Sequence, residues 1–221
     1  MSRPLPIAVL VSGEGTTLDG LAERAAGGGL PVRIVLVVAD RPGAPAIERA
    51  RRRGLPTLLL PSRGVDPVRW AAALSEALEA HGTELVVLAG FLSILPPEWV
   101  ARWRGRAVNL HPSLLPRHGG PGMYGRRVYE AVLAAHDRTT GATVHLVSAE
   151  VDGGVPIAQE RVPVAPDDTV ESLRARLRPV EVELLAETVR RFAEGSLPLP
   201  YEPSASGARP SGRRDRPDAR R

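Results

Sequence analysis

Short apolar runs rich in Val, Ile and Leu, separated by segments of helical period, constrain this chain more than any other feature. The runs are Ile7 to Val11, Val32 to Ala39, Thr57 to Leu60, Leu85 to Ala89 and Ala107 to Leu110. A strand with one wet face alternates apolar and polar residues, so unbroken runs mark strands covered on both faces. Between them Leu18, Leu21, Ala22 and Ala25 recur at i, i+3, i+4 and i+7, and Asp66 to Ala80 repeats the pattern behind an Asp cap and a first-turn Pro. Alternating strands and helices predict a parallel, doubly wound sheet with ligands gathered at the carboxyl ends of its strands.

The second half differs. A helix over Arg126 to Ala135 leads into apolar segments at Ala142 to Val147 and Pro156 to Val164, whose short connection favours an antiparallel pair. A closing helix from about Val170 to Glu194 contains Pro179, which predicts a kink or a break. The expected fold is α/β: a single-domain, Rossmann-like, doubly wound mixed sheet, mostly parallel with an antiparallel C-terminal part.

The chain has no cysteine, which excludes disulfides, thiolate metal sites and cysteine nucleophiles, and fits a reducing cytoplasm. No apolar stretch approaches the roughly 18 residues of a membrane span, and with the first strand read from Ile7 no leader is expected. All 29 basic residues are Arg, and the net charge is +4. Residues 204–221 alone carry that +4, so the body is neutral. A neutral body argues against a nucleic-acid protein, and the expected division is a domain over residues 1–201 and a disordered basic Pro/Gly/Ser/Arg tail over 202–221.

Three motifs carry candidate chemistry. Ser12-Gly13-Glu14-Gly15-Thr16-Thr17 joins the first strand to the first helix, where free amides and the helix dipole suit an anion; a tight turn with a Thr cap explains it equally well. Asn109-Leu110-His111-Pro112 follows a buried strand. Two residues apart on an extended segment, Asn109 and His111 share a face and could grip one oxygen, or simply cap a turn and fill the core. Glu150-Val151-Asp152-Gly153-Gly154 reads as a hairpin turn, or as the source of a carboxylate that raises the His111 pKa and fixes its tautomer. His81, His118, His136 and His145 lack metal-ligand spacing, so no metal is expected.

Taken together, five segments resemble the folate-dependent formyltransferase family from Ile7 to about Leu199. They are Val11-Ser-Gly-Glu-Gly-Thr-Thr-Leu18, Val87-Leu-Ala-Gly-Phe-Leu-Ser-Ile-Leu95, Asn109-Leu-His-Pro-Ser-Leu-Leu-Pro116, Gly141-Ala-Thr-Val-His-Leu-Val147 and Val151-Asp-Gly-Gly154. The Asn-x-His-Pro-Ser-Leu-Leu-Pro string with a later Asp-Gly-Gly is the specific part. The resemblance implies transfer of a formyl group from the co-substrate 10-formyltetrahydrofolate to the glycine amine of 5-phosphoribosylglycinamide, in purine biosynthesis, through a tetrahedral intermediate.

By the same resemblance Asn109, His111 and Asp152 are catalytic. Gly13, Gly15, Thr16, Thr17 and Glu181 would bind the substrate phosphate and ribose. Leu92, Ser93, Ile94, Leu95, Asn109, Val147, Ser148, Ala149, Glu150 and Val151 would bind the folate. The pattern departs from the family at Thr16-Thr17, where Ser-Asn is frequent, and at Ser93, where Arg is frequent. The loop Arg117 to Arg126 is longer than in some members and is expected to act as a mobile lid. The implied partners are the two small-molecule substrates, with no membrane and no nucleic acid, and the implied state is a monomer or homodimer. The alternatives are an amino-sugar-nucleotide formyltransferase and a non-catalytic nucleotide- or RNA-binding module. The tRNA-formylating relatives are set apart by a C-terminal barrel.

Overall fold

The computed structural model describes residues 3–202. All of the expected basic tail except Glu202 lies outside the described residues.

Seven strands form one sheet in the order β3-β2-β1-β4-β5-β6-β7. They are β1 Leu5–Val11, β2 Val32–Ala39, β3 Thr57–Leu59, β4 Leu85–Leu88, β5 Ala107–His111, β6 Thr139–Leu146 and β7 Pro156–Pro163. β1 to β5 run parallel, while β6 is antiparallel to both β5 and β7. The mixed sheet is the expected one. β1 is buried along its whole length because its two faces serve two separate cores.

Ile7, Val9 and Val11 pack against α1 (Thr16–Ala26), α2 (Pro45–Arg52) and α6 (Val170–Ala193), through Leu18, Leu21, Ile47, Leu185 and Val189. Ala8 and Leu10 face the other way, toward Trp70, Leu74 and Leu78 of α3 (Pro67–Ala80) and Trp99 and Trp103 at α4 (Pro97–Arg102). A third cluster joins α5 (Arg126–Ala134) to α6 and β7 through Tyr129, Val132, Val162, Leu173 and Leu177.

Several local expectations change. The short helices α2 and α4 were not marked by the periodicity. Asp66 caps α3 as expected, accepting from the Arg69 N–H at 2.9 Å. α1 has no Thr cap: its N-cap is Gly15, with φ 76° and no side-chain cap. α6 is not broken at Pro179. The proline faces solvent, where water can take the carbonyl left without a donor, and Leu173, Leu177, Leu185 and Val189 hold both halves of the helix in the core.

The order reverses at β1, which has β2 on one side and β4 on the other, so crossovers leave it in opposite directions. The carboxyl ends of β1, β4 and β5 thus open onto one crevice, as expected at such a switch point.

Candidate active site

The crevice holds two joined cavities. The larger, about 480 Å³, runs from the Gly13–Thr17 loop past Asn109 and His111 to α6. The smaller, about 110 Å³, is walled by Leu88, Leu92, Ile94, Leu95, Val147 and residues 148–152. Asn109 and Asp152 line both, so they stand where the cavities meet.

Strand geometry sets the floor of that junction. Asn109 and His111 lie on one face of β5, directly across from His145 and Thr143 of β6. A register shift at His145 re-aims its side chain, as bulges do. The Asn109 Nδ2 is 3.0 Å from His145 Nε2 and 3.4 Å from Asp152 Oδ1. The His111 Nε2–H donates to the His118 carbonyl at 2.8 Å, and His111 Nδ1 lies 3.4 Å from Asp152 Oδ2.

Asp152 comes from the β6–β7 connection, residues 147–155, close to the connection read from the sequence. The Gly153 N–H closes a turn onto the Glu150 carbonyl, and Asp152 sits inside it with φ 55°. Its carboxylate also accepts from the Gly120 N–H at 3.0 Å. Burial pushes the Asp152 carboxyl up, but contacts with His145, the His111 charge and the Gly120 amide outweigh burial and hold it below the usual range.

His111 corrects an expectation. Asp152 and the His118 carbonyl do favour the charged imidazole, yet burial is the larger influence and the net shift is downward. A carboxylate at 3.4 Å without an aligned hydrogen bond does not recover the lost hydration of a ring that is 4% exposed.

At the far end of the larger cavity, the first bond of α1 is from the Asp19 N–H to the Gly15 carbonyl. The amides of Thr16 and Thr17 therefore have no partner inside the helix. Gly15 is required here, because an added Cβ would come within 2.6 Å of Ala46 Cβ. Opposite, Glu181 accepts from the Tyr129 hydroxyl at 3.1 Å, and burial raises its pKa. Arg174 and Arg178 line the same wall and form no ion pair among the described residues.

Every residue singled out for phosphate and ribose lines the larger cavity, and every one singled out for folate lines the smaller. The Ser93 hydroxyl donates to the buried Asp40 at 2.6 Å. The Arg117 to Arg126 loop supplies Gly120 to Gly125 to the cavity wall, while its first residues are anchored: Arg117 and His118 both bind Asp137. Sequence reasoning missed His145, Tyr129, Arg174 and Arg178. The paired Asn109 and His145 registers were the available signal for the first, and the spacing of three and seven residues before Glu181 for the two arginines. Among the described residues no three His, Asp or Glu side chains are grouped to hold a metal ion.

An Asn, a His and a carboxylate at the meeting point of a glycine loop with free helix amides and an apolar slot define a group-transfer enzyme on a doubly wound sheet. The formyl transferase family profile matches residues 5–189, and the chain belongs to that family. It is similar to the phosphoribosylglycinamide formyltransferase of Haemophilus influenzae, at 34% identity over 87% of this chain and 89% of that one. It is also 37% identical to the trifunctional purine biosynthetic protein adenosine-3 of Gallus gallus, of whose longer chain it spans 19%. The solved glycinamide ribonucleotide transformylase 1 of Symbiobacterium toebii superposes with a TM-score of 0.83 at 37% identity, covering 89% of this chain and 91% of that one. Within the family the chain therefore groups with the phosphoribosylglycinamide formyltransferases.

Proposed function

We propose that the cavity junction moves the formyl group of 10-formyltetrahydrofolate directly onto the glycine amine of 5-phosphoribosylglycinamide, a formyl transfer of purine biosynthesis. The observation that carries this reading is the meeting of the two cavities at Asn109 and Asp152, with His111 beside them. Group transfer without a covalent enzyme intermediate needs both substrates to reach one point, and this arrangement provides one.

The larger cavity suits the phosphorylated substrate. Helix amides at Thr16 and Thr17 and the charges of Arg174 and Arg178 favour a phosphate, and Glu181 can accept from ribose hydroxyls. The smaller cavity suits a flat pterin between Leu92, Ile94, Leu95 and Val147, with the backbone of Ser148, Ala149, Glu150 and Val151 and the Ser93 side at its rim.

The amine nitrogen attacks the formyl carbon, and the carbonyl oxygen becomes an oxyanion. The Asn109 Nδ2–H and the His111 Nδ1–H stabilise that charge; one such donor is worth roughly 3 to 4 kcal/mol where measured. Asp152 favours the charged His111 and accepts a proton from the amine, the C–N10 bond breaks, and the proton goes to N10 of the departing tetrahydrofolate. A low His111 pKa in the absence of ligands fits this sequence, because the oxyanion supplies the partner that charging the ring requires. A single formyltransferase unit over residues 1–201 is part of the same proposal.

The test is purified protein with both substrates, following tetrahydrofolate release. Turnover dependent on 5-phosphoribosylglycinamide is expected. Turnover only with an amino-sugar nucleotide as acceptor would replace this reading.

A further inference from the structure

His111 and Asp152 are both held by one turn. The His118 carbonyl accepts from the His111 Nε2–H at 2.8 Å, and two residues on the Gly120 N–H donates to Asp152 Oδ2 at 3.0 Å. The approach is close: an added Cβ on Gly119 would come 2.3 Å from Leu115 Cδ2 and 3.4 Å from Asp152 Cβ. His118 itself has φ 54°, a region that costs energy for a residue with a side chain. A conformation of that kind persists only where neighbours hold it.

Asp137 is one such neighbour, beside the Ser113 hydroxyl, which donates to the Arg117 carbonyl at 2.6 Å. The Asp137 Oδ2 lies 2.7 Å from His118 Nε2, and its Oδ1 accepts from Arg117 Nη2 at 2.6 Å. Its backbone N–H is tied to the Val132 carbonyl at the end of α5, and its side chain is 11% exposed. Arg117, His118 and Asp137 line neither of the two cavities, so they do not touch a ligand placed there.

We propose that Asp137 is a positioning residue for the transfer, acting through Arg117 and His118 to fix the 118–120 turn that orients His111 and Asp152. The proposal rests on reading those two residues as the reacting site. A carbonyl only accepts, so the His118 carbonyl keeps one imidazole proton on Nε2 in either charge state. Any second proton then sits on Nδ1, toward Asp152 and the cavity junction. The other ionisable neighbours of His111 are His145 and His118, which both disfavour its charge, so the geometry of the turn and of Asp152 opposes them. If the turn loosens, the ring can rotate or change tautomer, and Nδ1–H is no longer aimed at the oxyanion.

The test measures kcat, both KM values and the nitrogen NMR signals of the His111 ring in Asp137→Ala and Asp137→Asn. For Asp137→Ala a fall in kcat of roughly tenfold or more, with both KM values within about threefold, is expected for a loss confined to the transition state. Its His111 ring should show mixed tautomers where the parent shows the Nε2–H form, and Asp137→Asn, which keeps an acceptor, should recover part of kcat. Parental kcat and a single Nε2–H tautomer in Asp137→Ala overturn the proposal, whatever happens to the melting temperature. Should Asp137→Ala not fold, His118→Asn, which tolerates the left-handed backbone but cannot reach Asp137, is read on the same two measures. Parental turnover in His111→Asn would instead overturn the reading of the site, so the two failures are distinct.

Discussion

Asn109 and His145 are direct partners across the β5–β6 ladder, with Asn109 Nδ2 donating to His145 Nε2 at 3.0 Å. His145 Nδ1 lies 2.8 Å from the Leu146 carbonyl, so Nδ1 carries a proton, and in the neutral ring Nε2 offers its lone pair. An Asn amide turned by half a rotation would oppose two acceptors. His145 therefore sets which end of the Asn109 amide faces the reaction. His145→Leu should lower kcat roughly tenfold or more with substrate KM values little changed, since a misplaced donor is lost mainly in the transition state. Steady-state kinetics decide it, and an unaltered kcat would show that Asn109 needs no such guide.

Asp152 separates shape from charge. Its φ of 55° is a conformation that Asn also tolerates, so Asp152→Asn keeps the turn and removes the carboxylate. Turnover should fall by roughly a hundredfold or more while melting temperature moves by about a degree or two, as expected for a proton acceptor and charge partner. The double variant with His111→Asn should be little worse than the poorer single, because the two act as one unit. Near-normal turnover in Asp152→Asn would remove the carboxylate from the mechanism.

The pH dependence of stability follows from His111. Burial lowers its pKa below the ordinary 6.5, so the unfolded chain binds the proton more readily than the folded one. The stability linked to this ring is fully present above 6.5 and is lost as pH falls through the folded value. Urea denaturation between about pH 7.5 and 5.5 should show stability declining toward acid, and less steeply in His111→Asn. Parallel declines in the two proteins would exclude His111 as the cause.

Thr17→Glu places a carboxylate at the amide end of α1. The KM for 5-phosphoribosylglycinamide should rise by roughly tenfold or more while that for the folate changes about twofold or less, because like charge then faces the phosphate. Equal weakening of both would dissociate the Gly13–Thr17 loop from the phosphate.

Val147 tests the other cavity. Val147→Asp puts a charge against an apolar slot, and the folate KM should rise by roughly tenfold or more with the phosphorylated substrate little affected, since a pterin face cannot compensate the desolvated carboxylate. Isothermal titration with a folate analogue reads this without turnover. Unchanged affinity would place the pterin elsewhere.

The order of strands and helices, the mixed character of the sheet and the Asp66 cap were legible in the sequence, because each depends on local periodicity or on one side chain meeting its own backbone. Asn109 and His111 were legible as a same-face pair for the same reason: a strand alternates faces with a period of two. α2 and α4 were not, since helices this short owe their existence to the core they cover rather than to pattern. The unbroken helix at Pro179 likewise reflects leucine packing on both of its halves.

What the site does electrostatically was decided by the tertiary structure. The family resemblance puts Asp152 beside His111, and a carboxylate there predicts a raised imidazole pKa; folding also buries that ring, and lost hydration outweighs a loosely aligned carboxylate. His145 and Asp137 each lie far from their partners along the chain and have no motif of their own, so only the β5–β6 register and the end of α5 bring them into place. Local chemistry thus wrote the elements and the reactive side chains into the sequence, whereas the orientation and ionisation of those side chains come from contacts made across the fold, whose energies depend on burial and on angles that spacing does not encode.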